Sequence, residues 1–322
     1  MPACRICDNK EGNKFHIVRE MMFGYRDNFE YIECAKCGCL QIKDIPAGLS
    51  RYYPNGYYSF QKREAAASKP VKSFIMRQKA KYWLYGRNVI GMMSAMGRRK
   101  PEPFFIEWFK KAGVKLNSKI LDVGCGTGGL LLNMREYGFS SLTGIDPFIE
   151  NDISYKNGVK IFKKDVRQLD GKYDFIVLRD SFEHMPEPVS VFKELCRLLN
   201  PDRYLLITMP LGSTFAWMKY GVNWVQLDAP RHLFLHTIES IELLSSRTGF
   251  FIKETVYDST DFQFWGSEQY SRDITLTDMK SYMVDHSNSI FSEADILNFK
   301  ARADELNKKK DGDHAAFYLY KN

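Results

Sequence analysis

The chain is 322 residues long, 44% hydrophobic and 26% charged, with a net charge of +7. That length suffices for one large domain plus a smaller one, and the composition is that of an ordinary globular protein. No apolar run reaches the roughly 20 residues a membrane span requires. The opening MPACRIC has neither the basic nor the apolar region of a secretory signal, so a cytoplasmic chain with reduced thiols is expected. Positive charge is concentrated. Residues 61–100 hold eleven Lys or Arg against one acid, Glu64, a local balance of +10 that leaves −3 for everything else. A near-neutral body with one basic segment speaks against a broad nucleic-acid surface, which would spread Lys and Arg over the main domain.

Five of the seven cysteines lie in the first 39 residues. Cys4-Arg-Ile-Cys7 and Cys34-Ala-Lys-Cys37 are two C-x2-C knuckles separated by 26 residues, which together supply the four thiolates of a closed tetrahedral zinc site. Gly38 suits the tight turn that points backbone amides at a thiolate, and FHIVREMMFGYRDNFEYIEC reads as short strands, so the segment is expected to be a zinc ribbon. Disulfides, disfavoured in a cytosolic chain, or unrelated buried thiols are the alternatives. A closed site has a structural role, because so short a segment cannot bury enough core without a staple. Cys39 is expected to be a spectator.

DIPAGLSRYYPNGYYSF follows as an irregular, aromatic-rich loop that closes a first domain at about residue 60. Its tyrosines either pack between domains or, through Tyr57 and Tyr58, reach a substrate pocket. In the connector, residues 61–102, Val71, Phe74, Ile75, Tyr82, Tyr85, Val89, Met93 and Met96 recur at three- and four-residue steps, with Lys69, Lys72, Lys79 and Arg87 largely outside that stripe. An amphipathic basic helix or helix pair is expected, interrupted near Gly86 and Gly91. It either packs on its own domain or rests, through residues 69–96, on the anionic inner face of a membrane.

From Ser118 strands and helices alternate. KILDV reads as a strand ending in the loop Gly124-Cys125-Gly126-Thr127-Gly128-Gly129, and LLLNMREYGF as a helix closed by Gly138. SLTGID is a second strand whose terminal Asp146 suits a ribose diol. Glycine permits the tight turn and the close approach of backbone to a ligand at a helix N-terminus. By itself the loop is weak evidence, since dinucleotide and adenosylmethionine sites share it.

The order D-V-G-C-G-T-G-G, with an acid two residues before the first glycine, resembles motif I of class I S-adenosylmethionine-dependent methyltransferases. Lys164-Asp165-Val166 falls where that family places an acid at the adenine amine. YDFIVLRD resembles its fourth strand, and Asp180-Ser-Phe-Glu-His-Met-Pro186 the stretch lining its transfer site. PVSVFKELCRLLNPDRYLLITMP would be the next helix and fifth strand. The turn Asn200-Pro201-Asp202-Arg203 departs from the family's Gly-Gly pair, but its residues are adequate turn formers. HTIESIELLSSRTGF reads as a helix capped at Thr237, FIKETVYD as the sixth strand, and DHAAFYLYKN as a seventh, antiparallel one.

The likeness covers residues 103–257 of an expected methyltransferase domain at 103–322, with 258–313 a helical insertion. It implies a Rossmann-like α/β sheet of seven strands and S-adenosylmethionine as cofactor. The residues it places at that cofactor are Asp122, Gly124, Cys125, Gly126, Gly128, Asp146, Pro147, Asp165, Val166, Arg179 and Asp180.

Two zinc knuckles, a YYP…YY loop, this core and a later P-R-H-L segment together resemble methyltransferases of sugar and surface-polysaccharide biosynthesis. Related sugar C-methyltransferases carry a further C-terminal domain, absent here, so the expected acceptor is a hydroxyl of a nucleotide-activated, lipid-linked or polysaccharide sugar. His184 is the first candidate base and His232 the second, since a hydroxyl needs a positioned proton acceptor. Methylation of RNA or protein, with the ribbon and basic connector gripping the macromolecule, and a non-catalytic binding protein are the alternatives. In NWVQLDAPRHLFLHT (residues 223–237), His232 and His236 are four apart, a metal-binding spacing on a helix, but Pro230 opposes a helix there. Trp224 is instead expected to stack on a sugar, with Asp228, Arg231 and His232 bonding its hydroxyls or phosphate.

Overall fold

A computed structural model describes residues 2–54, 57–61, 63, 70–97 and 101–322. Lys62, Lys69 and residues 98–100 of the basic connector lie outside the described residues, as does the side chain of Tyr58. In chain order the strands are β1 Lys14–Arg19, β2 Asn28–Glu33, β3 Leu40–Ile42, β4 Lys119–Val123, β5 Ser141–Ile145, β6 Ile153–Ser154, β7 Lys160–Phe162, β8 Tyr173–Arg179, β9 Leu199–Pro210, β10 Phe234–Leu235, β11 Phe250–Tyr257 and β12 His314–Lys321. They form a four-stranded sheet, β1-β2-β3-β10, and an eight-stranded sheet, β11-β12-β9-β8-β4-β5-β7-β6. This is the expected mixed α/β class. The eighth strand, not expected from the sequence, is the two-residue β6, antiparallel to β7 at the sheet's end.

The chain divides into two compact units, one of Met1–Asn55, Asp180–Phe192 and Thr208–Phe317, the other of Gly56–Arg179, Lys193–Ile207 and Tyr318–Asn322. Division by sequence into residues 1–60, 61–102 and 103–322 follows chain order; compactness does not.

In the second unit β4 pairs in parallel with β5 on one side and β8 on the other. Its Ile120, Leu121 and Val123 are buried, as the near-continuous apolar run of a doubly covered parallel strand requires. Phe109 packs edge-on against Phe139 and Phe175 at 4.9 and 5.4 Å between ring centres. The chain runs β4 to β5 to β7 on one side and then returns to β8 on the other, so the strand order reverses at β4. In open α/β sheets ligands bind at such a switch point, outside the carboxyl ends of the strands.

The basic connector also belongs to this unit. It forms two helices, Pro70–Tyr85 and Val89–Gly97, and the break falls at residues 86–88 rather than at Gly91. Gly91 instead lets the helices touch: a Cβ there would lie 2.1 Å from the carbonyl oxygen of Gln78. Asn88 fixes the junction, accepting from the Gly91 amide at 2.7 Å and donating to the Gln78 side chain. This arrangement goes against the reading in which the apolar stripe packs on its own domain and the lysines outside it face solvent. Gln78, Lys79 and Ala80 are buried, while Val71, Phe74, Val89, Met93 and Met96 are exposed, Met96 by 76%. No helix among the described residues is long and apolar enough to cross a membrane.

In the first unit β1, β2 and β3 form an antiparallel meander, and β10, from the P-R-H-L segment, adds to β3 in register Phe234 with Gln41 and Leu235 with Leu40. Thr237 caps the helix Ile238–Thr248 through a reciprocal bond pair with Ser240, and its hydroxyl also donates to the Cys37 carbonyl at 2.6 Å. Residues 258–313 contribute the helices Phe262–Ser271 and Glu293–Lys309, whose Phe264, Ala303 and Leu306 form a small core.

Candidate active site and metal centres

Cys4, Cys7, Cys34 and Cys37 converge in the first unit, all buried, with their sulfurs within 4.8 Å of one another. The sulfurs of Cys4 and Cys37 are 3.7 Å apart and those of Cys7 and Cys34 are 3.4 Å apart. Zinc–sulfur bonds of about 2.3 Å in a tetrahedron require edges of about 3.8 Å, so the four thiols fit that ion. Backbone geometry supports the same reading. Gly38, at φ +67°, returns its amide to the Cys34 carbonyl, and the Ile6 amide points at the Cys4 sulfur at 3.4 Å.

The glycine-rich loop of the second unit follows β4. Gly124, Gly126 and Gly128 all have positive φ, and Gly128 opens the helix Gly129–Glu136. A Cβ on Gly126 would lie 2.3 Å from the Ser59 carbonyl oxygen, so only glycine allows the segment Tyr57–Gln61 to lie against the loop. Thr127 ties that segment down, its amide donating to Ser59 and its hydroxyl to the Gln61 carbonyl. Tyr57 is buried and packs on Phe60 at 6.0 Å, which sets it in this strap.

Asp146, at the end of β5, accepts from the Gly126 amide at 2.9 Å and the Phe148 amide at 2.8 Å. Each carboxylate oxygen keeps a lone pair for a ligand hydroxyl. Asp122 is buried in β4, and burial with the nearby Asp146 pushes its pKa up to about 7 against the pull of Arg179. Cys125 is half-buried and Pro147 exposed. Asp165 caps a short turn over buried Val166 and binds the Arg167 guanidinium at 2.7 Å. Arg179 stacks on the Phe104 ring at 4.9 Å.

Asp180, the next residue, belongs to the first unit. Its carboxylate accepts from Thr208 and from His314, both at 2.9 Å. Burial opposes charge on His314, but Asp180 and Asp258 on its two nitrogens raise its pKa well above the usual value.

Three side chains of the first unit meet at one point. One ligand atom each of Glu183, His184 and His232 lie within 4.8 Å of one another. His184 Nδ1 donates to the Arg231 carbonyl at 2.8 Å, and His232 Nδ1 to the Gln226 carbonyl at 2.7 Å. A carbonyl can only accept, so both rings carry the proton on Nδ1 and present a bare Nε2. Burial and the neighbouring His232 lower the His184 pKa to about 4; burial likewise lowers that of His232, against Asp228. The Tyr53 hydroxyl stands 3.5 Å from His184 Nδ1. Glu183 and Tyr53 lie inside stretches that the sequence singles out, Asp180–Pro186 and the aromatic loop, but neither is named there as a site residue.

Two other expected ligand groups are taken up by the protein. Trp224 is fully buried and its indole donates to Asp313 at 2.9 Å, so its faces are packed rather than offered to a sugar. Arg231 is also without exposure. Its guanidinium holds Asp228 at 2.5 Å, Glu20 at 3.0 Å and the Tyr52 carbonyl at 3.1 Å, so it is not the expected phosphate clamp; Asp228 is partly exposed beside His232. Burial would lower its pKa, but the two carboxylates outweigh that and raise it. His236 does not join His232 in a metal group; it is stacked between Phe182 and Phe234 at 4.9 and 5.4 Å.

The family described as "Methyltransferase domain" matches residues 93–255, just over half of the chain. The chain belongs to that family, and it carries a class I S-adenosylmethionine-dependent methyltransferase domain whose glycine loop sits at the sheet's switch point. The ubiquinone biosynthesis O-methyltransferase of Bordetella avium (strain 197N) is 29% identical over 163 residues, 45% of this chain and 66% of that protein. The tRNA U34 carboxymethyltransferase of Nautilia profundicola is 34% identical over 118 residues, 32% of this chain and 38% of that protein. The chain thus spans less than two thirds of either relative. The cyclopropane synthase MmaA2 from Mycobacterium tuberculosis has a solved structure with TM-score 0.42 and 18% identity, covering 69% of this chain and 87% of that one.

Three outcomes follow. Purified protein should contain zinc bound by the four cysteines, and its removal by a strong chelator should unfold the β1–β3 segment, seen as lost strand signal in circular dichroism. Arg231→Ala should cost about 3–5 kcal/mol in denaturant unfolding, because Glu20 would be left as a buried, unpaired charge. Asp122, protonated below about pH 7, should make affinity for the cationic cofactor rise by up to about tenfold between about pH 6 and 8 in calorimetry; Asp122→Asn should flatten that rise. The unliganded fold should lose stability over the same climb, because the folded chain still holds a proton that the unfolded chain has released.

Proposed function

We propose that the protein transfers the methyl group of S-adenosylmethionine to a hydroxyl of a sugar that is nucleotide-activated, lipid-linked or part of a polysaccharide. The observation that carries this reading is the Glu183–His184–His232 group. Two neutral imidazoles with bare nitrogens suit a hydroxyl acceptor, which must give up a proton as the methyl group arrives. His184 and His232 are the residues assigned to that hydroxyl, with Tyr53 beside them. Asp122 is assigned to the aminoacyl and sulfonium groups, Asp146 to the ribose, and Asp165 with Val166 to the adenine. The name of the Bordetella relative is that of an O-methyltransferase, in keeping with an oxygen acceptor.

The sugar rests on the joint occurrence of zinc knuckles, a YYP loop and P-R-H-L, and the fold supplies a reason for that association. β10 of the P-R-H-L segment is a strand of the ribbon sheet, and Tyr31 of the ribbon donates its hydroxyl to the His232 carbonyl at 2.7 Å. Ribbon and segment therefore support one another. Exposed Val71, Phe74, Met93 and Met96 beside Lys72 and Arg87 suit a lipid-linked acceptor at an anionic membrane surface.

The test is incubation with labelled S-adenosylmethionine and a panel of nucleotide sugars, read by mass spectrometry. A sugar gaining one methyl group is the expected result; label entering only RNA or protein would sink the sugar reading. His184→Ala should retain cofactor affinity while turnover falls by about 10² or more.

A further inference from the structure

Glu183 is 1% exposed, and neither of its carboxylate oxygens has a hydrogen-bond partner among the described residues. A buried carboxylate left this way is costly, so the group must either keep a proton or meet a cation. Among the described residues no Lys or Arg pairs with it, and His314 acts on it only through its charge, without a hydrogen bond. His232 Nε2 is 3.9 Å from Glu183 Oε1, too far for a hydrogen bond and close to the separation of two ligands on one ion. His184 is its sequence neighbour, and the Leu233 amide bonds the Glu183 carbonyl at 2.9 Å, holding the two segments in register.

We infer that Glu183, His184 and His232 form a binding site for a divalent metal ion, separate from the four-cysteine centre. Two imidazoles and one carboxylate, with further positions open, are the donor set of catalytic zinc and of ferrous or manganous sites. The hydrogen bonds behind the ligands are of the kind such sites use. A metal-ligating histidine donates its other ring N–H to a carbonyl or carboxylate, and here Nδ1 of both rings donates to main-chain carbonyls, of Arg231 and Gln226. Those carbonyls are themselves fixed through their own peptide planes: the His232 amide, joined to the Arg231 carbonyl, donates to the Asp228 carbonyl at 3.2 Å, and the Leu227 amide, joined to that of Gln226, donates to the Trp224 carbonyl at 3.0 Å. The site is thus held for metal before the metal arrives. Asp228 Oδ2, 3.9 Å from His232 Nε2, adds negative charge beside it.

An ion here would take an oxygen ligand, and the role given to it rests on the acceptor reading above; the site itself does not. With the ion bound, His184 and His232 would act on the hydroxyl through it rather than as free bases: the hydroxyl would be acidified as metal-bound water is, and its proton would pass to solvent. Recognition of a sugar would then proceed through one hydroxyl, or two adjacent ones, at the open positions.

The experiment uses the full chain with the cysteine zinc in place, washed with a mild chelator and titrated separately with Zn²⁺, Co²⁺ and Mn²⁺ by calorimetry. Electron paramagnetic resonance follows Mn²⁺, which thiolates bind poorly. One equivalent beyond the cysteine zinc is expected. It should be lost in Glu183→Gln and in His232→Gln, while both variants retain the cysteine zinc and the wild-type circular dichroism. Absence of a further equivalent for all three ions at millimolar concentration overturns the site and leaves Glu183 as a protonated carboxyl. An unchanged further equivalent in both variants overturns it equally, since the ion then lies elsewhere. Sugar methylation by washed enzyme lacking the second ion would overturn the role given to the ion while upholding the acceptor reading. A second ion bound by an enzyme that methylates no sugar would uphold the site and reject only the acceptor reading.

Discussion

A guanidinium cut off from water has to be neutralised by the protein, and the first unit is organised around that requirement. Arg231 gathers Asp228 from its own turn, Glu20 from the end of the ribbon's first hairpin strand and the Tyr52 carbonyl from the aromatic loop. Glu20 is itself fully buried and accepts the amides of Phe23 and Tyr25 at 2.9 and 2.8 Å. Three distant stretches of sequence are thereby bound to one charge. Removing any partner would strand another in a medium that does not solvate it, which makes the arrangement all-or-none. The histidines depend on the same turn, because the Arg231 carbonyl orients His184 and the Asp228 carbonyl receives the His232 amide.

The second unit solves a different problem by backbone geometry. Its glycine loop follows a buried parallel strand and adopts left-handed conformations at three positions, closed by a carboxylate that accepts main-chain amides. Asp122 sits in that strand with its charge penalised by burial. An unliganded site that holds a carboxylate near neutrality is prepared for a cation, and a sulfonium or ammonium supplies one. The two units thus carry different chemistry: one offers glycine backbone and buried acids, the other bare imidazoles and an orphaned carboxylate.

Much of this could be read from the sequence, for reasons that differ by residue. The cysteine pairs were legible because tetrahedral thiolate ligation imposes a short spacing within each knuckle, whatever lies between. The glycine loop was legible because φ values near +50 to +80° exclude most side chains, so the chemistry leaves its mark on residue type. Thr237 was legible as a cap because capping is local. Trp224 and Arg231 misled, since an aromatic and a cation in a polar loop suit a ligand or a buried network equally well. Only their burial, against Asp313 and Glu20, decides between these. The connector stripe misled for a related reason. Periodicity says that one side of a helix is apolar, but the crossing at Gly91 determines which side is covered.

By itself, then, the sequence determined what short-range physics dictates: the fold class, the glycine loop with the acids beside it, the cysteine quartet and the helix caps. Tertiary structure alone decided which polar residues meet. His232 was first notable for its spacing from His236, yet its companions are Glu183 and His184, some 48 residues earlier in the chain. Nothing in a one-dimensional pattern connects those positions. They are brought together by the turn at Asp228, the amide of Leu233 on the Glu183 carbonyl, and the strand β10 that joins the ribbon sheet. Long-range pairing of buried polar groups is set by the need to satisfy each of them at once, and that condition exists only in the folded chain.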